Sequence, residues 1–213
     1  MKKLDLEKYW LVDCFVDKGA AEQCFYHLLK YYSKPQRCYH NLDHLKALFV
    51  QWEKCQDALN RPTLVAWAIF YHDVIYDVQR KDNELASAQY AQEDLRQTDL
   101  APSDKSAIIT MILATERHLP PVGATNDLLY FLDFDLCVLG AERAQYRAYA
   151  QKIRKEYAMY PDEIYFPGRK RILERLLNRK QLFQTKMFRQ EYEEQARANV
   201  LEEMRRLCEG ETE

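Results

Sequence analysis

The stretch Leu64-Val65-Ala66-Trp67-Ala68-Ile69-Phe70-Tyr71 decides the fold. It carries no charge and shows no face that prefers water, so the rest of the chain must enclose it on every side. Arg61-Pro62-Thr63 precedes it, and proline is tolerated in the first turn of a helix. The segment reads as the central helix of a bundle, although pattern alone gives a buried strand the same signature. Its surroundings favour helices. Ala21, Cys24, Phe25, Leu28, Leu29 and Tyr32 recur at intervals of three and four, as do Leu45, Leu48, Phe49 and Trp52 with Leu59 beyond them, and later Tyr146, Tyr149, Ala150, Ile153, Tyr157 and Tyr160. Only 5 of the 213 residues are glycine, against roughly 15 at average usage. A β fold with a turn every 8–12 residues would need more. The expectation is an all-α bundle of roughly 8–10 helices.

Breaks divide the chain. Ser33-Lys34-Pro35 stops one helix; Asp82 caps another running to about Arg96; Ser103 caps one ending near Arg117. Leu119-Pro120-Pro121-Val122-Gly123 is the clearest loop. Thr125 or Asn126 then starts a short helix ending near Gly140, and Pro161 and Pro167-Gly168 bracket a turn before two charged helices. Gly19, Gly123, Gly140, Gly168 and Gly210 all fall at expected helix ends or loops, so no glycine-rich phosphate cradle is present. No repeat or linker appears. The expected organisation is a single domain over residues 1–213, with the core around 36–140 and helices of about 141–209 packed on it.

Charge and cysteine usage exclude further classes. Thirty-one basic against 33 acidic residues provide no global field for nucleic acid, so binding to it is not expected. The longest uncharged run, Pro62–His72, is too short to span a bilayer, and acidic residues near the start replace the apolar run of a signal peptide. Six cysteines without a CxxC pair point to reduced thiols and a cytoplasmic location. The charged end from Asn178 onward reads as a covering helix or a homodimer surface.

Polar residues interrupt the apolar segments at three places. His40 and His44 stand four apart, which on a helix stacks them within reach of one ion. The same spacing suits an ordinary amphipathic helix start, with Asn41 or Asp43 as cap. His44 falls on the side of Leu48 and should point inward. His72-Asp73 terminates the apolar run, where a buried carboxylate needs a metal or another cation beside it, unless the chain simply emerges there into solvent. Phe131-Leu132-Asp133-Phe134-Asp135-Leu136 sets two aspartates among apolar residues, and one of them could close a metal site from a separate helix. His27, between Phe25 and Leu28, reads as structural.

The order His44, His72-Asp73, Asp135 resembles the HD superfamily of metal-dependent phosphohydrolases, and Tyr39-His40-Asn41-x-x-His44 looks like a signature of its cyclic-nucleotide phosphodiesterases. Arg37-Cys38-Tyr39-His40-Asn41-Leu42-Asp43-His44-Leu45, Phe70-Tyr71-His72-Asp73-Val74-Ile75-Tyr76-Asp77 and Asp82-Asn83-Glu84-x-x-Ser87-Ala88 are similar to one family of predicted phosphohydrolases in that superfamily. Phe131-Leu132-Asp133-x-Asp135-Leu136-x-x-Leu139-Gly140, Ile153-Arg154-x-Glu156-Tyr157, Gly168-Arg169 and Ala196-Arg197-x-Asn199 extend the likeness. The resemblance implies an HD-domain bundle in which His44, His72, Asp73 and Asp135 hold one or two divalent ions, of Mn, Fe, Co, Ni, Zn or Mg. It implies hydrolysis of a small phosphorylated substrate, a phosphomonoester or phosphodiester, nucleotides among them. His40 would protonate the leaving group, with Asp73, Asp77 and Glu84 as further catalytic candidates. His118, Arg154 and Arg169 are candidates for the substrate; Arg37, Lys46 and Arg171 are other available cations. His118 is the one histidine between the HD pair and Asp135, which disfavours a complete dinuclear set. A dinuclear iron oxygenase of the same scaffold, or a non-catalytic metal- or nucleotide-binding module, are the alternatives.

Overall fold

In the computed structural model, which describes residues 6–209, the apolar segment is a helix and every residue from Leu64 to Tyr71 is buried. Among the described residues nine α-helices follow one another: α1 (Lys18–Tyr32), α2 (Leu42–Cys55), α3 (Pro62–Tyr71), α4 (Asn83–Leu95), α5 (Pro102–Ala114), α6 (Asn126–Leu136), α7 (Arg143–Glu156), α8 (Asp162–Leu177) and α9 (Lys186–Glu209). No strand occurs among the described residues; a single antiparallel bridge joins Phe15 to Thr98. The fold is all-α. No helix among those residues is long and apolar enough to cross a membrane. Gly210 lies outside the described residues, as do the first five residues, on which the reading of the chain start partly rests.

The chain divides into two compact units, one reaching to Leu132 and the other beginning at Asp133. In the first unit α3 is the core element. Trp67, Phe70 and Tyr71 pack against Trp10, Phe15, Phe25 and Phe49 from the segments around them. Pro62 opens α3 at a position where a missing N–H costs nothing. The orphan donors just before it are taken by the buried Asp127, which accepts from the N–H groups of Asn60 (2.7 Å) and Arg61 (2.8 Å). A carboxylate there also complements the positive end of the helix dipole.

In the second unit the short 3-10 turn Cys137–Gly140 lies directly against α9. Asn199 on α9 donates to the carbonyls of Leu139 and Ala141, both at 2.8 Å. The buried Asp133 accepts from the N–H groups of Gln184 and Thr185 at the start of α9, and burial pushes its carboxyl up to about 6 against the opposing pull of those donors. Of the neighbouring pair Asp133 and Asp135, Asp133 therefore ties α6 to the backbone just before α9.

Four local expectations need correction. Ala101, not Ser103, occupies the N-cap of α5, because Pro102 fits the first helical position and shifts the start by two residues. The same helix ends at Ala114 and not near Arg117; His118 closes it with φ of 48°, in the left-handed region. Pro167-Gly168 does not bracket a turn but lies inside α8, and the exposed Glu163, whose carbonyl loses its helical partner there, can turn to water. His27 is exposed on α1 and holds no place in the core.

Two substitutions test these supports. Asp127→Asn sets an amide N–H against a backbone N–H and is expected to destabilise the protein by about 1–3 kcal/mol in chemical denaturation. At Gly140 a Cβ would lie 2.6 Å from Tyr192 Cβ and 2.9 Å from its carbonyl oxygen, so Gly140→Ala is expected to cost about 1–3 kcal/mol, read as a lower melting temperature.

Candidate metal centre

The site follows from how α3 ends. His72 continues the helical backbone and donates its N–H to Ala68 O at 2.9 Å, so its side chain stays within the core, 1 % exposed. His72 Nδ1 lies 2.9 Å from Ile69 O. A carbonyl oxygen only accepts, so Nδ1 donates that bond and Nε2 is the nitrogen turned outward. Nε2 faces His44 Nε2 at 3.1 Å and Asp73 Oδ2 at 3.2 Å. His44 Nε2 is 3.7 Å from the same carboxylate oxygen.

His44 arrives from the first turn of α2. Asn41 caps that helix by accepting from Asp43 N–H at 2.9 Å, and its amide donates to the carbonyls of Arg37 and Cys38. This start angle turns His44 inward beside Leu45 and Leu48, as the spacing anticipates. The two imidazoles are buried, while the Asp73 side chain retains 14 % exposure. The cluster thus has a closed imidazole floor and a carboxylate at its open side.

These three residues fit a divalent ion. Their ligand atoms lie within 4.8 Å of one another. Bonds of about 2.0–2.2 Å to nitrogen and oxygen place neighbouring ligand atoms about 3.0–3.4 Å apart, close to the separations found. Two imidazoles and a carboxylate suit first-row divalent metals, and an N–H held by a backbone carbonyl is the usual outer support of a ligating histidine.

Arg37 organises this region in a way sequence reading misses. It is buried and donates to Asp73 O (2.7 Å), Val74 O (2.8 Å) and His40 O (3.3 Å), with its guanidinium over the Tyr32 ring. Tyr32 in turn accepts the Asp73 N–H at its hydroxyl. A cation joining carbonyls of distant segments has no local spacing to announce it. The sequence offered Arg37 as a cation for phosphate; the structure turns it inward.

The other expected residues divide into groups. His40 is half-buried, stacked on Tyr76 with ring centroids 4.1 Å apart, and 5.6 Å from His44 by the same measure. Glu84 is half-buried on α4; burial holds its carboxyl above the ordinary range, the charges of Asp73 and Glu116 add to this, and His118 opposes it. These electrostatic influences put Glu84, Asp73 and His118 in one neighbourhood. Asp77 is exposed and serves its own turn, accepting from Gln79 N–H at 2.9 Å, while its N–H donates to Asn83.

Asp135 stands near the end of α6 in the second unit, half-buried, with its charge acting on the Tyr149 phenol. Arg154 donates to Asp162 and to the carbonyls of Tyr157 and Tyr160. Arg169 is buried in a bidentate pair with Glu203, at 2.6 and 3.0 Å, which also accepts from the Tyr146 hydroxyl. Lys46 pairs with Asp43 at 2.9 Å. Comparison of the chain with protein-family models, curated proteins and solved structures finds no match.

Metal binding at this cluster is measurable without an activity. Manganese or zinc at 100 times its dissociation constant is expected to stabilise the protein by about 2.7 kcal/mol, and His72→Ala or His44→Ala should abolish that gain. An equal gain in the variants would place the ion elsewhere.

Proposed function

We propose that the chain is a metal-dependent phosphohydrolase acting on a small phosphorylated substrate. The observation that supports this most is the convergence of His44, His72 and Asp73 at the buried end of α3, with the His72 tautomer set by Ile69 O. A divalent ion bound there supplies a Lewis acid for a phosphoryl oxygen and acidifies water near neutral pH.

The chain's own groups account for the remainder. His44 and His72 present Nε2 from within the core, and Asp73 is the partly exposed member of the cluster, so water reaches it from the side of Asp73. Arg37 and Tyr32 hold the Asp73 backbone, which keeps the carboxylate where substrate would approach. His40 lies beside His44, and stacking on Tyr76 orients its ring, which makes it the group suited to protonate a leaving oxygen. Glu84, held above the ordinary carboxylate range by its surroundings, is the second proton carrier near Asp73. His118 shares that neighbourhood and is the candidate for a substrate contact.

Hydrolysis of p-nitrophenyl phosphate, bis-p-nitrophenyl phosphate and nucleotides by protein reconstituted with each divalent metal tests the reading. His72→Ala should remove turnover with every metal. His40→Ala should lower kcat by about 10²–10⁴-fold with metal content unchanged. Protein that binds the metal and hydrolyses none of these substrates would overturn it. Asp135→Asn examines the remaining sequence expectation: a ligand role predicts weaker metal retention than in wild type.

A further inference from the structure

We propose that the second unit carries a separate binding site, for a small organic anion with a flat apolar body, in the cleft among α7, α8 and α9. The cleft has a volume of about 460 Å³. That lies within the roughly 300–1,000 Å³ of small-molecule sites. Every residue lining it belongs to the second unit, and none belongs to the His44–His72–Asp73 cluster.

Its charges favour an anion. Two acids line the cleft, and both are already matched. Asp162 is held by Arg154 at 2.7 Å, and Glu203 by Arg169 and the Tyr146 hydroxyl. Two further cations line the cleft. Lys155 is exposed and has no ion-pair partner among the described residues, while Arg206 shares the half-exposed Glu202 at 3.0 Å. The surplus is positive, and the exposed Lys155 carries it.

Its apolar groups demand more than a bare anion. Tyr165 and Phe166 meet edge to face, with centroids 5.7 Å apart and planes at 66°, so together they form a corner. Arg154 covers the Tyr165 ring at 4.6 Å and stiffens it. Leu207 and Ala150 extend the apolar wall. A planar body packed in that corner loses apolar surface to the rings while its charged group reaches Lys155. Inorganic phosphate alone would leave the corner unfilled, and a cation would meet the wrong charge.

The test uses full-length protein treated with EDTA, so that it is independent of the metal centre. Titration with 8-anilinonaphthalene-1-sulfonate, an aryl anion that fluoresces in apolar surroundings, should saturate at one equivalent. Lys155→Glu should weaken it by about tenfold, Lys155→Arg should restore it, and Lys180→Glu, outside the cleft, should leave it unchanged. Displacement by AMP or by indole-3-acetate supports the site, the stronger competitor naming a phosphate or a carboxylate headgroup. Non-saturable binding, wild-type binding by Lys155→Glu, displacement by neither competitor, or equal displacement by inorganic phosphate would overturn the proposal. Equal melting temperatures for the lysine variants and wild type exclude a folding defect as the cause.

Discussion

The first unit depends on one constraint: a helix apolar on all sides cannot end in water. α3 is enclosed from Leu64 to Tyr71, so the residues that terminate it are delivered into the interior. His72 and Asp73 must then find partners there, because a buried polar group without one costs several kcal/mol. The solution is mutual. His72 binds its own helix through Nδ1 and turns Nε2 to His44 and Asp73. The apolar composition of one segment thereby creates both the core and the concentration of ligand atoms at its end.

Other buried charges in this protein meet the same constraint differently. Asp127 serves the donors before α3, and Asp133 serves those before α9. Arg169 and Glu203 neutralise each other with Tyr146 beside them. All of these face backbone groups or a complementary charge and complete a structural circuit. At the His44–His72–Asp73 cluster two imidazole nitrogens and a carboxylate converge on one another, the donor set that a divalent cation takes. That contrast separates the candidate centre from the structural carboxylates more clearly than burial does.

Much of this was legible beforehand because it is local. The apolar run of α3, the inward side of α2 and the adjacent pair His72-Asp73 are all matters of spacing along one helix. Helix boundaries were less legible where proline intervened. Pro102 began α5 two residues earlier than the hydroxyl of Ser103 indicated, and Pro167 was accommodated within α8. Arg37 and Tyr32 escaped notice as supports of the centre because their partners are backbone groups 36 and 41 residues away. Asp133 and Asp135 were indistinguishable by pattern; only the loop before α9 gives one of them a structural task.

The sequence by itself determined that the chain is helical, that Leu64–Tyr71 is enclosed, and that histidine and aspartate gather near the end of that helix. Periodicity and charge are properties of neighbouring residues, so a single chain displays them. Tertiary structure decided the rest: which nitrogen of His72 faces the cluster, which arginine holds Asp73, and which acids are already matched by cations. It also decided that Lys155, Arg206, Tyr165 and Phe166 share a cleft. Those facts depend on distances between segments far apart in the chain, which only packing sets.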